Sequence, residues 1–188
     1  MSTLYAQYRE NREVTLHQAE REGLSWDVFV SHKFNYKHVA VRVAECIKSL
    51  GLVAWVDVLD PTIHKGDPDL DARIERILTR SFSLMAVVSD TTKESWWVPF
   101  EIGIAYELRR YLSVYTEKFT EVELPLFLEK RPKVTSLSEL HSWCDKIKTL
   151  KGVPRDRRIF SSTGIGLSAH EPQRYVEEMQ NMAMTFRG

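Results

Sequence analysis

Short apolar runs alternate with segments of helical periodicity between residues 26 and 112. Three runs rich in β-branched and aromatic residues predict buried strands, at 26–31, 52–57 and 84–89. Apolar positions recur at helical spacing in the segments that follow them, and predict helices at 39–50, at 69–79 and from the middle of the nineties to about residue 112. Strands and helices in alternation indicate an α/β fold, with a parallel sheet covered by helices on both faces.

The flanking segments have weaker patterns, which predict several further elements. They are a helix at 4–22 ended by Gly23, a fourth strand at 124–128, a helix at 138–150, a short strand at 158–160 and a last helix at 170–184. Pro125 within the fourth predicted strand favours a strand start or an edge strand.

Composition narrows the possible functions. The chain has 188 residues, with 26 Lys and Arg against 26 Asp and Glu, so net charge gives no reason to expect binding to nucleic acid or to anionic lipid. No apolar run has the length of a signal peptide core or of a membrane span, and we expect a cytoplasmic protein. Cys46 and Cys144 permit one disulfide by count, but free thiols in a reducing cytosol are the expectation. The six histidines show no metal-ligand spacing, so no metal site is predicted.

Three polar segments follow the three predicted strands, at 31–36, 57–65 and 89–101. Right-handed crossovers place the segments that follow parallel strands along one edge of the sheet. Ligands of open α/β sheets bind at that edge, outside the carboxyl ends of the strands. The sequence therefore predicts a binding site formed by these three segments.

Glu101 is the leading candidate for chemistry at this edge. If Pro99 takes the first helical position, Glu101 falls in the first turn, where the helix dipole stabilises a carboxylate, and we expect it to be ionised at neutral pH. An ionised carboxylate can stabilise an oxocarbenium-like centre, as cleavage of the bond between ribose and the cationic nicotinamide of NAD requires. Alternatively, Glu101 has no catalytic role and, as a carboxylate at the helix start, stabilises the helix by only about 0.3 kcal/mol.

Two tryptophans precede this carboxylate. Trp97 lies four residues before Glu101 and shares its helix face, so it could stack on nicotinamide or adenine. Trp96 points about 100° away on a helix and is expected in the core.

The other two segments supply further candidates. Asp57 ends the second predicted strand and could bind a ligand or anchor its own loop. Ser31, His32 and Lys33 follow the first strand; Lys33 could contact a phosphate, and a structural role is expected for His32. The sequence has no G-x-G-x-x-G loop, P-loop or G-x-S-x-G motif, which disfavours dehydrogenase and serine hydrolase chemistry.

Four segments in order resemble the conserved boxes of the TIR (Toll/interleukin-1 receptor) domain family. Residues 26–32 read WDVFVSH, the segment 51–67 carries the family's second strand and following loop, residues 70–89 match its next helix and strand, and residues 95–101 read SWWVPFE. The last is similar to the family's S-x-W-V-x-x-E box.

The resemblance implies a flavodoxin-like, doubly wound parallel sheet of five strands. It divides the chain into an N-terminal helical extension at 1–24, a TIR domain at 25–150, and a C-terminal loop and helix at 151–188 that either belongs to the same domain or extends it.

For function, the resemblance to NAD-cleaving prokaryotic members implies that Glu101 is catalytic. It implies a pocket that draws on Ser31, His32, Lys33 and Phe34, and on the loop from Asp57. NAD would be the substrate, with no further cofactor. Products would be nicotinamide with ADP-ribose or a cyclic or conjugated form, made in antiphage or cell-death defence and sensed by a downstream effector. Self-association through TIR–TIR contacts is also implied.

The chain departs from the family pattern after His32. Lys33, Phe34, Asn35 and Tyr36 replace the small and acidic residues that are common there, which changes the wall of the pocket. Two alternatives remain open. One is a non-enzymatic TIR–TIR interaction module, which would use the loop at 58–68; the other is an enzyme similar to nucleoside deoxyribosyltransferases, which would act on nucleosides.

Overall fold

Five parallel strands form one sheet in the part of the chain that the structure describes. A computed structural model describes residues 15–59, 68–117 and 124–152, all within the unit formed by residues 1–153. The strands are β1 (Trp26–His32), β2 (Ala54–Trp55), β3 (Ser81–Val87), β4 (Tyr111–Tyr115) and β5 (Lys133–Val134). Their order across the sheet is β2-β1-β3-β4-β5, and every neighbouring pair is parallel. The predicted α/β fold with a five-stranded parallel sheet is confirmed.

Helices cover both faces of this sheet. They are α1 (Leu16–Glu22), α2 (Lys37–Ser49), α3 (Leu70–Thr79), α4 (Trp97–Glu107), α5 (Leu126–Glu129) and α6 (Leu137–Lys151). One apolar cluster joins Phe29 of β1 to α1, α3 and α4, and a second joins Val28 and Val30 to α2 and α6. Successive β1 side chains point to opposite faces, so a strand with helices on both sides is apolar throughout. This explains the apolar run at 28–30 in the centre of β1, while Asp27, Ser31 and His32 of the same strand are buried polar residues.

Most predicted elements agree with the structure in type. The predicted second strand is shorter, because only Ala54–Trp55 pairs with β1, and the third begins at Ser81 instead of residue 84. Gly23 and Gly51 follow α1 and α2 with φ of 65° and 81°, the left-handed conformation that favours glycine. The predicted helix at 138–150 is α6.

The segment after α4 corrects the sequence prediction. The helix predicted to reach about residue 112 ends at Glu107, and Tyr111–Tyr115 forms β4. Arg109 has φ of 52° and reverses the chain where the sequence offers no glycine or proline. The strand predicted at 124–128 is wrong, because Pro125 precedes the short helix Leu126–Glu129. The alternation of tyrosine, leucine and valine in β4 was the signal that the helical interpretation overlooked.

Several sequence predictions lie outside the described residues. They are the helix at 4–22 before residue 15, most of the loop at 58–68, the short strand at 158–160 and the helix at 170–184. Within residues 15–59, 68–117 and 124–152, no helix is both long enough and apolar enough to cross a membrane.

Candidate functional site

Glu101 lies on the side of α4 that packs against the sheet. Val98, Ile102 and Ala105 form the buried stripe of this helix, and Glu101 follows Val98 by three residues, so it joins that stripe. Its exposed fraction is 8%. Ser31 stands two residues after Phe29 on β1, on the face that α4 covers, and its hydroxyl donates a hydrogen bond to Oε2 of Glu101.

Burial sets the protonation of this carboxyl group. Burial raises the pKa of Glu101 from 4.5 to about 8; the hydrogen bond from Ser31 opposes the rise and the negative charge of Asp57 adds to it. Glu101 is therefore mostly neutral at pH 7 in this fold. The expectation of an ionised carboxylate is wrong chiefly because the group is buried. In addition, α4 begins at Trp97, not at Pro99. Glu101 is the fifth helical residue, beyond the first turn in which the dipole acts.

The two tryptophans are exposed to different extents. Trp97 is 45% exposed, and its ring meets Phe100 edge to face at 5.6 Å between centroids. Trp96 is 92% exposed, so the prediction that it lies in the core is wrong. Trp96 precedes the first helical residue, where helical spacing gives no direction, and Val98 occupies the buried position. An exposed aromatic surface therefore stands one turn ahead of Glu101.

His32 and Asp57 form a second polar pair at this edge. Nδ1 of His32 lies 3.4 Å from Oδ1 of Asp57, with side-chain exposures of 2% and 42%. Burial lowers the pKa of His32, although the charge of Asp57 opposes this. Oδ1 of Asp57 also accepts a hydrogen bond from the backbone N–H of Val58 at 2.7 Å. Nε2 of His32 is buried and has no hydrogen-bond partner among the described residues.

Lys33 and Phe34 follow β1 on the same loop. Nζ of Lys33 donates to the carbonyl oxygen of Thr91 at 2.9 Å and to Oε2 of Glu94 at 2.6 Å. The side chain of Phe34 is exposed, and Nζ of Lys37 lies 5.2 Å from the centroid of its ring. The phosphate contact of Lys33 stays a prediction, and in this structure its ammonium group has protein partners.

The structure thus brings two strand ends and one helix together. Ser31 and Glu101 are hydrogen-bonded, His32 and Asp57 are paired, and Asp57 acts electrostatically on Glu101. Sequence reasoning missed Thr91, Glu94 and Phe100. The spacing of Phe100 from Trp97 could have signalled the aromatic contact, whereas nothing local links Lys33 to residues 58 and 61 positions away.

Other candidate chemistry is limited in the same part of the chain. No group of three or more His, Cys, Asp and Glu side chains there could hold a metal ion. Cys46 and Cys144 are free thiols on α2 and α6, and burial raises the pKa of Cys144 to about 12.

The protein is thus an α/β domain in which the buried carboxyl group of Glu101 lies at the edge formed by the C-terminal ends of the parallel strands. The family model described as the TIR domain matches residues 28–150, and the chain belongs to the TIR domain family. Among solved structures, the TIR domain of the Toll-related receptor TRR-2 from Hydra magnipapillata aligns with 75% of this chain and 100% of its own, at 15% identity and a TM-score of 0.48. A comparison with curated proteins gave no match.

Proposed function

We propose that this TIR domain cleaves the bond between nicotinamide and ribose in NAD, with Glu101 as the catalytic residue. The observation that supports the proposal most is the buried Glu101 carboxyl group, which accepts a hydrogen bond from Ser31 at the ligand-binding edge of the sheet. A carboxyl group whose pKa is raised to about 8 by burial is a strong candidate for a functional site.

The proposed chemistry needs a negative charge close to the reacting sugar. The C–N bond breaks, its electron pair leaves with the ring nitrogen of nicotinamide, and the C1′ carbon gains oxocarbenium character. Water then adds at C1′ and loses a proton to give ADP-ribose, or an internal nucleophile of the ADP-ribosyl group adds and gives a cyclic product. An ionised Glu101 would stabilise the positive charge, and a buried site strengthens this attraction.

Substrate binding would help Glu101 to ionise. The nicotinamide ring of NAD is cationic, and a nearby positive charge lowers the pKa of a carboxyl group. The hydroxyl of Ser31 acts in the same direction, because it donates to Oε2 of Glu101. Trp97, one turn earlier on α4 and 45% exposed, offers a ring on which nicotinamide or adenine could stack.

Release of nicotinamide from NAD, followed by chromatography, tests the proposal directly. Glu101→Gln keeps the size of the side chain and should reduce the rate at least about a hundredfold, as loss of one electrostatic stabiliser commonly does. Glu107→Gln is the matched control, since it makes the same change at an exposed position near the other end of α4. Equal rates for the wild type and a folded Glu101→Gln variant would contradict the assignment.

Self-association and signalling belong to the same proposal. TIR domains associate with one another, and we propose that activity rises with protein concentration and that the product signals to an effector in antiphage or cell-death defence in the cytoplasm. A non-enzymatic interaction role is the second candidate, favoured by the exposed rings of Trp96 and Phe100. Absence of nicotinamide release at high concentration, together with binding of TIR partners, would support that role. Cleavage of nucleosides but not of NAD would instead indicate deoxyribosyltransferase-like chemistry.

A further inference from the structure

The loop after β1 contains the residues that depart from the TIR pattern. Lys33, Phe34, Asn35 and Tyr36 stand there in place of small and acidic residues. The proposed reaction assigns no part to Tyr36 or Lys33, although the sequence predicts a phosphate contact and a place in the pocket for Lys33. In the structure, both side chains reach the loop between β3 and α4.

Lys33 makes the stronger of these contacts. Its ammonium group donates to the carbonyl oxygen of Thr91 at 2.9 Å and to the carboxylate of Glu94 at 2.6 Å. The side chain of Lys33 is only 17% exposed, whereas that of Glu94 is 63% exposed. The Lys33 side chain is therefore mostly covered by protein, and its ammonium group has a backbone carbonyl and a carboxylate as partners.

Tyr36 adds a weaker contact to the same loop. Its hydroxyl lies 3.5 Å from Oδ1 of Asp90, which also accepts the backbone N–H of Thr91 at 3.0 Å. Within the same turn, the backbone N–H of Ser89 donates a hydrogen bond to Oγ1 of Thr92 at 2.8 Å, which links the start of the turn to its fourth residue. Lys33 and Tyr36 thus bind one ordered turn, residues 89–94, and we call their contacts with it the interloop contact.

The interloop contact joins the chain segments that supply Ser31 and Glu101 to the candidate site. Ser31 lies two residues before Lys33 on β1, and the turn at 89–94 leads into α4, which carries Trp97 and Glu101. A shift of that turn would move the start of α4 relative to β1, and with it the carboxyl group relative to Ser31. Displacements of about 1 Å at a site can cost two orders of magnitude in rate.

We infer that Lys33 is a positioning residue that fixes the start of α4 against β1, and that it is not a ligand of the substrate phosphates. Thr91 and Glu94 take two of the three N–H donors of Lys33, and the carboxylate of Glu94 opposes the approach of a substrate phosphate to the same ammonium group. The kinetic part of this inference rests on the proposed NAD cleavage, whereas the interloop contact can be measured without it.

Hydrogen exchange of backbone amides tests the contact itself. Lys33→Met keeps the apolar length of the side chain and removes the ammonium group. Exchange at residues 92–98 should become about fivefold faster, the effect of losing a net hydrogen bond of ordinary strength. Lys37→Met is the matched control, because it removes the same charge from a lysine that lies over Phe34, and it should leave exchange at 92–98 unchanged. Unchanged exchange in a folded Lys33→Met variant would overturn the inference, whatever the protein catalyses.

Steady-state kinetics then separate positioning from phosphate binding. A positioning role predicts that Lys33→Met lowers kcat and leaves the KM for NAD within about twofold. Glu94→Gln should lower kcat in the same direction by a smaller factor, because Thr91 still holds Lys33. If Lys33 were a phosphate ligand, Lys33→Met would raise the KM for NAD and leave kcat unchanged. Glu94→Gln would then lower KM, because Lys33 would be released to bind the phosphate. Either result would overturn the inference. A wild-type protein without activity would refute the proposed function and leave the exchange measurement to decide the role of Lys33.

Discussion

Replacing Glu101 with glutamine removes an ionisable group from the interior and keeps an oxygen that can accept the hydrogen bond from Ser31. In the folded protein the pKa of Glu101 rises from 4.5 to about 8 because the carboxyl group is buried. Between these pH values the folded protein holds a proton that the unfolded chain has lost. The wild type therefore loses stability as the pH rises through this interval, and the loss is complete above about pH 8.

The size of the effect follows from the interval. Each pH unit corresponds to about 1.4 kcal/mol, so the free energy of unfolding falls by up to about 5 kcal/mol between pH 4.5 and pH 8. About 3 kcal/mol of this is already lost at pH 7. A glutamine does not titrate, so the free energy of unfolding of the Glu101→Gln variant lacks this fall. The difference between the variant and the wild type should therefore grow, as the pH rises from 4.5, by the amounts that the wild type loses.

Urea denaturation at pH 5, 7 and 9, followed by tryptophan fluorescence, measures that difference. Groups that titrate equally in both proteins cancel in the comparison. Glu107→Gln serves as the control, since it makes the same change at an exposed position of the same helix. A Glu101→Gln difference that stays constant from pH 5 to pH 9 would refute the reasoning, because it would mean that Glu101 ionises in the folded protein as it does in water.

Two further predictions concern the candidate site, and a third concerns the stability of the fold. Ser31→Ala removes the hydroxyl that lowers the pKa of the buried carboxyl group, so the pH profile of nicotinamide release should move to higher pH; an unchanged profile would argue against the bond. Trp97→Ala should raise the KM for NAD about tenfold through lost stacking. Trp96→Ala, at a 92% exposed position, should leave KM unchanged and alter the free energy of unfolding by no more than about 0.5 kcal/mol; equal KM effects of the two substitutions would contradict this. Gly51→Ala should destabilise the fold by about 1 kcal/mol, because Gly51 has a φ of +81°. Gly103→Ala should stabilise the fold by about 0.5 kcal/mol, because Gly103 lies in a helix with open space around it. Chemical denaturation of both variants checks these opposite signs.

The sequence predicted the first half of the sheet better than the second. β1 is readable because a strand buried on both faces gives a run of apolar residues. α3 is readable because a helix buried on one face gives apolar residues at helical spacing. β4 was overlooked, since the apolar pattern of α4 continues past Glu107 and the chain reverses at Arg109 without a glycine. The two-residue strands β2 and β5 are defined by their pairing partners and have little pattern of their own.

The candidate site shows the same division. The sequence alone determined the order of strands and helices as far as α4 and the spacing of Trp97 and Glu101, because both depend on residues close together in the chain. It also carried the boxes that resemble TIR domains, and the family is now confirmed over residues 28–150.

Only the tertiary structure decided the protonation of Glu101, the exposure of Trp96 and the partners of Lys33. The hydrogen bond between Ser31 and Glu101 spans 70 residues, and that between Lys33 and Glu94 spans 61. A pKa depends on how much water and charge surround a group, and an ion pair depends on which loops meet. Both are products of chain segments that only folding brings together.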